Sequence, residues 1–362
     1  MSVTVLLGGQ PDEAVTFGLS PLAELTAMLH ACADPAHHHA ERLAARVRSR
    51  QSPQLAAGIA RFAPLWGSYR ARFLLPGPLS LGQDLEAELA AIGELPVGTF
   101  RLLAAFGISG GYTGRRFEDL STSHTAQEDL LQHARARGEE AADLAAMLLD
   151  DTARFRAELL MTLREFAATV FDAEWSSVAR RLMSEVAAKR QLARWRGAAQ
   201  ALAEIGVGTR PLSSPPRIVF DQLHHGVISL DRQRLLVMPS AFGSPHQLIK
   251  HEGHGWPALI HYPLATASAE YPDQIEMVRR RLGILADPER LHLSRILAHD
   301  SLPTVELARR AGSTPPQVSR QLRLLRDAGL VIASRHGRYV HYRLDLDRIT
   351  SLGPELLEAL LR

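Results

Sequence analysis

The sequence predicts a mainly α protein of the α+β class. It indicates a large N-terminal helical domain with a small antiparallel sheet, followed by a C-terminal unit of short helices and a β-ribbon. Helical runs separated by Pro and Gly fill the chain to about residue 205, and short strand-like segments lie between residues 217 and 262. Beyond residue 285, capping residues and turns mark three helices and two strands. We therefore predict three regions, at residues 1–205, 206–270 and 271–362.

Composition excludes several classes of protein. The chain has no run of 18 apolar residues, which is about the length that a bilayer span needs. Its first eight residues lack the basic region of a secretory signal. The single cysteine, Cys32, excludes an intramolecular disulfide and a cysteine-rich zinc cluster. These features predict a cytoplasmic protein without membrane contact.

The N-terminal region has the pattern of a helical domain. Ser20 followed by Pro21 predicts a helix start, because Ser caps the first amide groups and Pro fits the first helical position. Residues 3–7 are a candidate strand ahead of this helix. The predicted helical runs are residues 21–32, 37–48, 53–66, 84–92, 126–149, 151–171 and 174–205.

A change of composition to Gly, Pro, Ser and Thr at residues 206–216 indicates a boundary. Short connections between the strand-like segments that follow predict an antiparallel meander packed on the preceding helices. The strand at residues 3–7 is a further candidate for this sheet, and a linker is expected at residues 263–272. The strand-like segments are residues 217–221, 226–231, 234–239, 247–250 and 257–262.

Motifs that suggest catalysis or metal binding fail on their spacing. The glycine-rich residues 107–114 lack the Gly-Lys-Ser/Thr ending of a phosphate-binding loop, which favours an ordinary loop. His251 and His254 are three residues apart, whereas the helical zinc motif needs four, so a polar turn is predicted there. The adjacent residues 37–39 are all His and cannot share one helix face. We predict no catalytic residue, no metal site and no cofactor. One alternative left open is a pocket formed by four further histidines, His224, His225, His246 and His261.

Capping residues predict three helices in the C-terminal unit. Asp287 precedes a proline and can cap the first helix. Residues 306–312 form a second, short helix that Gly312 ends. Ser313 or Thr314 caps the third helix, which runs to residue 329.

The third helix is amphipathic and precedes a predicted ribbon. Strand composition at residues 330–334 and 339–344, with a hairpin tip at residues 336–338, predicts two paired strands. Two short helices, a turn and a ribbon in this order are the sequence form of a winged helix-turn-helix. The apolar face of the third helix, at i, i+4 and i+7, consists of Val318, Leu322 and Leu325.

The outer face of the third helix suits the major groove of DNA. Polar and basic side chains near the N-terminus of such a helix read base edges or hold phosphates, and arginines on the ribbon hold the backbone. Residues 275–345 carry 13 arginines and 7 acidic residues, a net charge of +6, whereas the whole chain carries +2. Arg343 is a further phosphate candidate on the ribbon. The predicted DNA contacts are Thr304, Ser313, Thr314, Pro316, Gln317, Ser319, Arg320, Arg323, Arg335, His336, Arg338 and Tyr339.

This unit resembles the ArsR/SmtB family of bacterial winged-helix regulators. The resemblance is carried by residues 285–291 (LADPERL), 306–308 (ELA), 318–330 (VSRQLRLLRDAGL) and 337–344 (GRYVHYRL). It implies that the helix starting near Pro315 is the recognition helix, that the ribbon is the wing, and that a homodimer binds double-stranded DNA.

The region before it, from about residue 15 to residue 262, resembles a domain of uncharacterised function found ahead of ArsR-type segments in actinobacterial regulators. Residues 15–22, 235–242 and 255–263 carry that likeness. The resemblance implies an established domain arrangement and gives no ligand.

The metal chemistry of the ArsR/SmtB family does not carry over to this sequence. Residues 301–305 read SLPTV, where sensors of that family place a pair of thiols. The predicted last helix, at residues 350–361, has Glu355 and Glu358 but no His, and two carboxylates alone make a poor transition-metal site. We interpret this last helix as dimer packing.

The sequence therefore predicts a homodimeric, sequence-specific DNA-binding transcriptional regulator, a repressor by resemblance and not an enzyme. A small-molecule effector or a partner bound to the N-terminal domain would control it, because the 270 residues before the DNA-binding unit exceed what a dimer clamp needs. Two alternatives stay open. One is an enzyme-like N-terminal domain fused to an autoregulatory DNA-binding module, and the other is a constitutive architectural protein.

Overall fold

The chain divides into two compact units, which are described separately. One consists of Ser2–Phe220 and Gly226–Ala265, and the other of Thr266–Arg362 with Met1 and Asp221–His225. The three regions predicted from the sequence stay a prediction. The computed structural model describes residues 2–9, 11–35, 38, 40–67, 69–77, 81–111, 120–205, 209–222, 225–245, 247–251, 256–264, 274–336, 339–346, 348–350, 352–353 and 356.

The first unit combines helices with two four-stranded sheets, and the predicted mainly α, α+β class is confirmed. A π-helical segment, Ala167–Phe171, joins α9 to α10. The helices are α1 (Pro11–Ala14), α2 (Pro21–Ala33), α3 (Glu41–Arg50), α4 (Pro53–Phe62), α5 (Leu85–Glu94), α6 (Val97–Ser109), α7 (His124–Arg137), α8 (Glu139–Asp150), α9 (Thr152–Phe166), α10 (Asp172–Arg196) and α11 (Ala198–Ala203). The strands are β1 (Ser2–Leu6), β2 (Val15–Phe17), β3 (Thr209–Ser213), β4 (Pro216–Asp221), β5 (Gly226–Ser229), β6 (Leu235–Ser240), β7 (Leu248–Lys250) and β8 (Ala258–Pro263).

Local sequence signals set several of these helix boundaries. Ser20 caps α2 as predicted, since its Oγ accepts a hydrogen bond from the Ala23 amide at 3.0 Å. The single run predicted at residues 126–149 is instead two helices, because Gly138 takes a φ of 134° between α7 and α8. α6 lies in a stretch without a helix prediction. Its buried residues, among them Phe100 and Leu103, join the main helical core.

Both sheets of the first unit are mixed, so the prediction of an antiparallel meander is wrong. The first sheet has the order β3-β4-β1-β5, in which β1 runs parallel to β5. The second has the order β2-β6-β8-β7, in which β2, β6 and β8 are parallel and β7 is antiparallel to β8. The N-terminal strands pair with strands from the far end of the unit, so hairpins do not set their direction. All residues of β6 are buried, as is typical of a parallel strand covered on both faces.

The second unit forms the predicted winged helix-turn-helix. Its three strands make an antiparallel sheet in the order β10-β11-β9, and the two-residue β9 was absent from the sequence prediction. The predicted linker at residues 263–272 and last helix at residues 350–361 lie mostly outside the described residues. The elements are α12 (Gln274–Leu285), α13 (Pro288–Leu297), β9 (Leu302–Pro303), α14 (Thr304–Arg310), α15 (Pro315–Asp327), β10 (Val331–His336) and β11 (Tyr339–Leu344).

No single helix in the described part of the chain is long and apolar enough to cross a membrane. By length and composition alone, α5 and α6 meet that requirement together, and they are bent by 110° relative to each other.

Candidate nucleic-acid interface

A tight turn between α14 and α15 sets the helix-turn-helix. The Ser313 amide donates to the Ala308 carbonyl at 3.0 Å, and the Gly312 amide donates to the Arg309 carbonyl at 3.4 Å. This pair of bonds is a Schellman motif, and it needs the left-handed conformation that Gly312 supplies with a φ of 62°. Asp287 caps α13 in the predicted way, since its Oδ1 accepts from the Arg290 amide at 3.0 Å.

The N-terminus of α15 is capped by side chains that the sequence predicts as DNA contacts. Gln317 Oε1 accepts hydrogen bonds from the Thr314 amide at 3.2 Å, from Thr314 Oγ1 at 2.7 Å and from Ser313 Oγ at 3.3 Å. Gln317 thereby forms the reciprocal half of a capping box. Because Oε1 is engaged, the side-chain amide Nε2 is the group of Gln317 that suits contact with a base.

The two faces of α15 differ sharply in exposure. Val318, Leu322 and Leu325 are buried in the core of the unit, as their spacing predicts. Burial of these side chains orients the opposite face toward solvent. The predicted contacts that are exposed on α15 and its cap are Thr314, Pro316, Gln317, Ser319, Arg320 and Arg323. Two others, Thr304 and Ser313, are half-buried.

Ion pairs separate two kinds of arginine in this unit. Arg309 and Arg310 both bond to Glu306, and Arg310 also bonds to Asp300 at 2.5 Å. The hydrogen bonds from Arg309 and Arg310 lower the pKa of Glu306 to about 2, so this carboxylate stays ionised and offsets their charge.

Arg320 and Arg323, by contrast, have no carboxylate within ion-pair distance in the described part of the chain. Their positive charge is therefore available to an anionic partner such as a phosphate.

A polar bridge joins α13 and α15, and no pattern in the sequence indicates it. Gln321 accepts from Arg290 Nη1 at 3.2 Å and donates from Nε2 to Glu289 at 2.7 Å. Arg290 also donates from Nε to the Ile284 carbonyl at 2.6 Å. The two bonds of Gln321 fix α15 against α13. The partners are about 30 residues apart, so no local pattern could reveal the bridge.

The ribbon places its arginines on opposite faces. Arg343 pairs with Ile332 in the register, and Arg335 pairs with Val340. Ile332 and Arg335 are three residues apart on β10, and residues separated by an odd number point to opposite faces of a strand. Because paired residues share a face, Arg335 and Arg343 project from opposite faces of the ribbon. Arg335 is exposed. Arg338 and the side chains of His336 and Tyr339 lie outside the described residues, and these assignments stay predictions.

The histidines considered from the sequence are not brought into one described cluster. His261 is buried, with its Nε2 2.9 Å from Glu24 Oε1, while His225 is exposed. His224, His246 and His254 lie outside the described residues, as do residues 37 and 39. Among the described residues, no group of three or more His, Cys, Asp or Glu side chains could hold a metal ion.

The helix-turn-helix, its exposed basic helix and its antiparallel ribbon define a winged helix-turn-helix domain of the ArsR/SmtB type. Residues 285–332 match a family model described as a helix-turn-helix domain. Residues 1–268 match a second family model, and the chain belongs to this family, described as a family of unknown function (DUF5937).

Curated relatives match a small part of the chain. The HTH-type transcriptional regulator NmtR of Mycobacterium tuberculosis is 42% identical over 67 residues, which cover 18% of this chain and 56% of NmtR. A transcriptional repressor SmtB homolog of Synechocystis is 36% identical over 88 residues, covering 24% of this chain and 67% of that protein. The chain thus spans about half to two thirds of these relatives.

A solved structure is also similar to part of the chain. It is the homodimeric winged helix-turn-helix DNA-binding domain of Mb0332 from Mycobacterium bovis, a possible ArsR-family regulator, at 26% identity and a TM-score of 0.22. The match covers 27% of this chain and 94% of that domain.

Proposed function

We propose that the protein is a DNA-binding transcriptional regulator in which α15 enters the major groove. The observation that carries this proposal is the outer face of α15. Its Arg320 and Arg323 are exposed without carboxylate partners, while its inner face is fixed in the core. A rigid helix with exposed polar and basic side chains near its N-terminus matches the dimensions and chemistry of that groove.

The resemblance to ArsR/SmtB regulators supports a homodimeric repressor without catalytic activity. The names of the relatives describe a transcriptional regulator and a transcriptional repressor. Two copies of α15 would meet successive major grooves, so the spacing of half-sites in the operator would reflect the dimer. Residues 301–305 contain no thiol, so control by the family's cysteine-based metal site is not part of this proposal.

Control by a small molecule or partner bound to the N-terminal domain completes the proposal. The DUF5937 region accounts for residues 1–268, and it has its own cores and two sheets. A ligand that binds better to one arrangement of the dimer than to the other would shift the spacing of the two recognition helices. The ligand would change the free energy of DNA binding by the same amount as DNA changes the free energy of ligand binding.

Fluorescence anisotropy tests the DNA-binding proposal. Labelled DNA from upstream of the protein's own gene is titrated with the full chain, and scrambled DNA of equal length serves as the control. The titration is run at physiological salt, with and without a chelator. We expect selective binding that weakens steeply with salt and ignores the chelator. Equal weak binding to both DNAs would contradict sequence-specific recognition.

A further inference from the structure

A long, narrow cleft runs beside α10 in the first unit, with a volume of about 1100 Å³. Its lining on α10 extends from Asp172 to Trp195. At a rise of 1.5 Å per residue this is a length of about 34 Å. Dividing the cleft volume of about 1100 Å³ by this length gives a mean cross-section on the order of 30 Å². Such a cleft accommodates an extended chain better than a broad ring system.

The wall opposite α10 is built into the fold. It is formed by the segment between β2 and α2 and by the segment before α5. The Gly82 amide donates to the Leu19 carbonyl at 2.9 Å, and the Gly18 amide donates to the Val237 carbonyl at 3.0 Å. These bonds tie the wall to the carboxyl end of β2, which is parallel to β6. That edge of a parallel sheet is where α/β proteins commonly hold ligands.

Between its charged ends, the side of the cleft formed by α10 carries large apolar side chains, and two of them face outward. Met183 is 55% exposed and Trp195 is 77% exposed. Toward the other end, the rings of Phe171 and Trp175 stack with centroids 5.7 Å apart. Large apolar side chains grouped on a surface mark a binding site, because covering them removes apolar area from water.

Charge distinguishes the two ends of the cleft. Arg190 and Arg194 line it near the end of α10, and Arg190 Nε is held by the Phe17 carbonyl at 2.9 Å. No carboxylate lies within ion-pair distance of Arg194 among the described residues. Asp172 lines the opposite end, about 33 Å away along the helix, and Asp84 lines the wall that faces α10. An anionic group is therefore favoured at the arginine end and repelled at the aspartate end.

We propose that this cleft binds an elongated amphiphile with one acidic end, of the long-chain carboxylate class. The hydrocarbon chain lies along α10 over Met183 and Ala187, and the carboxylate bonds to Arg194. This inference rests on the proposed function in one respect, since it assigns the amphiphile as the effector of the N-terminal domain. Binding to the cleft itself requires no DNA.

Calorimetric titration of the full chain tests whether Arg194 binds the carboxylate of the ligand. The ligands are decanoate and its uncharged counterpart, decan-1-ol. Arg194→Ala should weaken decanoate binding about tenfold, because it removes one charge-assisted hydrogen bond, and should leave decan-1-ol binding unchanged. Arg196→Ala is the matched control, since Arg196 is exposed on the same last turn and does not line the cleft. It should change neither ligand. Equal losses in the two variants would overturn the assignment of Arg194.

A second matched pair tests the path of the chain. Ala187→Phe places a ring in the middle of the cleft and should abolish binding of both ligands. Ala188→Phe adds the same ring at the next exposed residue, outside the cleft, and should have no effect. The proposal fails if the wild-type chain binds no decanoate, or if Ala187→Phe binds it as the wild type does.

Sedimentation equilibrium on the same variants separates ligand binding from self-association. If Ala187→Phe dissociates a dimer while decanoate binding is unchanged, this face is a subunit interface and the ligand proposal is wrong. Failure of the ligand proposal is distinct from failure of the proposed DNA-binding function, because the DNA titration without any ligand tests DNA binding alone.

Discussion

Replacing Arg323 with alanine tests the proposed DNA interface most directly. Arg323 is exposed on α15 without a carboxylate partner among the described residues. Replacing Arg309, on α14, with alanine causes the same change in net charge. Arg309, however, is bonded to Glu306 at 2.9 and 2.6 Å. An arginine that holds a phosphate contributes about 0.9 to the slope of log K against log salt. A base contact contributes about 1–3 kcal/mol of discrimination. We expect one of these losses in Arg323→Ala and an unchanged slope in Arg309→Ala.

The assay is the anisotropy titration repeated at several salt concentrations, with Arg320→Ala as a third variant. A loss of slope that is equal for operator and scrambled DNA identifies a phosphate contact. A loss confined to the operator identifies a base contact. Unchanged affinity and slope in both Arg320→Ala and Arg323→Ala would show that α15 is not the DNA-contacting helix. Equal losses in Arg309→Ala and Arg323→Ala would mean that net charge, and not contact, sets the affinity.

Three further predictions concern stability and positioning. Leu322→Ala should lower the free energy of unfolding by about 2–5 kcal/mol in urea titrations, because Leu322 is 2% exposed. Burial raises the pKa of Glu88 to about 7, although the hydrogen bond from the Leu22 amide acts to lower it. The folded state therefore keeps a proton that the unfolded state has lost, and stability should fall by up to roughly 1.4 kcal/mol per pH unit between about pH 4.5 and 7; a Glu88→Gln variant that kept the wild-type pH dependence would contradict this. Gln321→Ala should weaken DNA binding by about 1 kcal/mol without changing the salt slope, because it removes a bridge and not a charge.

Much of the candidate interface, and the starts of several helices, could be predicted because their signals are local. Asp287 and Ser20 each cap a helix whose start the sequence predicts, and each cap bond spans only three residues. The spacing of Val318, Leu322 and Leu325 predicts the buried face of α15 and, by exclusion, its exposed face. The pairing of Arg310 with Asp300 was not predictable in this way. Arg310 meets Asp300 across the packing of the unit and not through a neighbouring position on one helix.

The sequence by itself therefore determined the identity and order of the helix-turn-helix elements, the caps of several helices and the class of the C-terminal domain. These depend on residues within one or two helical turns of each other. Tertiary structure alone decided that β2 runs parallel to β6, that Gln321 bridges α13 and α15, and that a cleft opens beside α10. Each of these joins residues far apart in the chain, and such contacts depend on the path of the folded backbone and not on the neighbouring sequence.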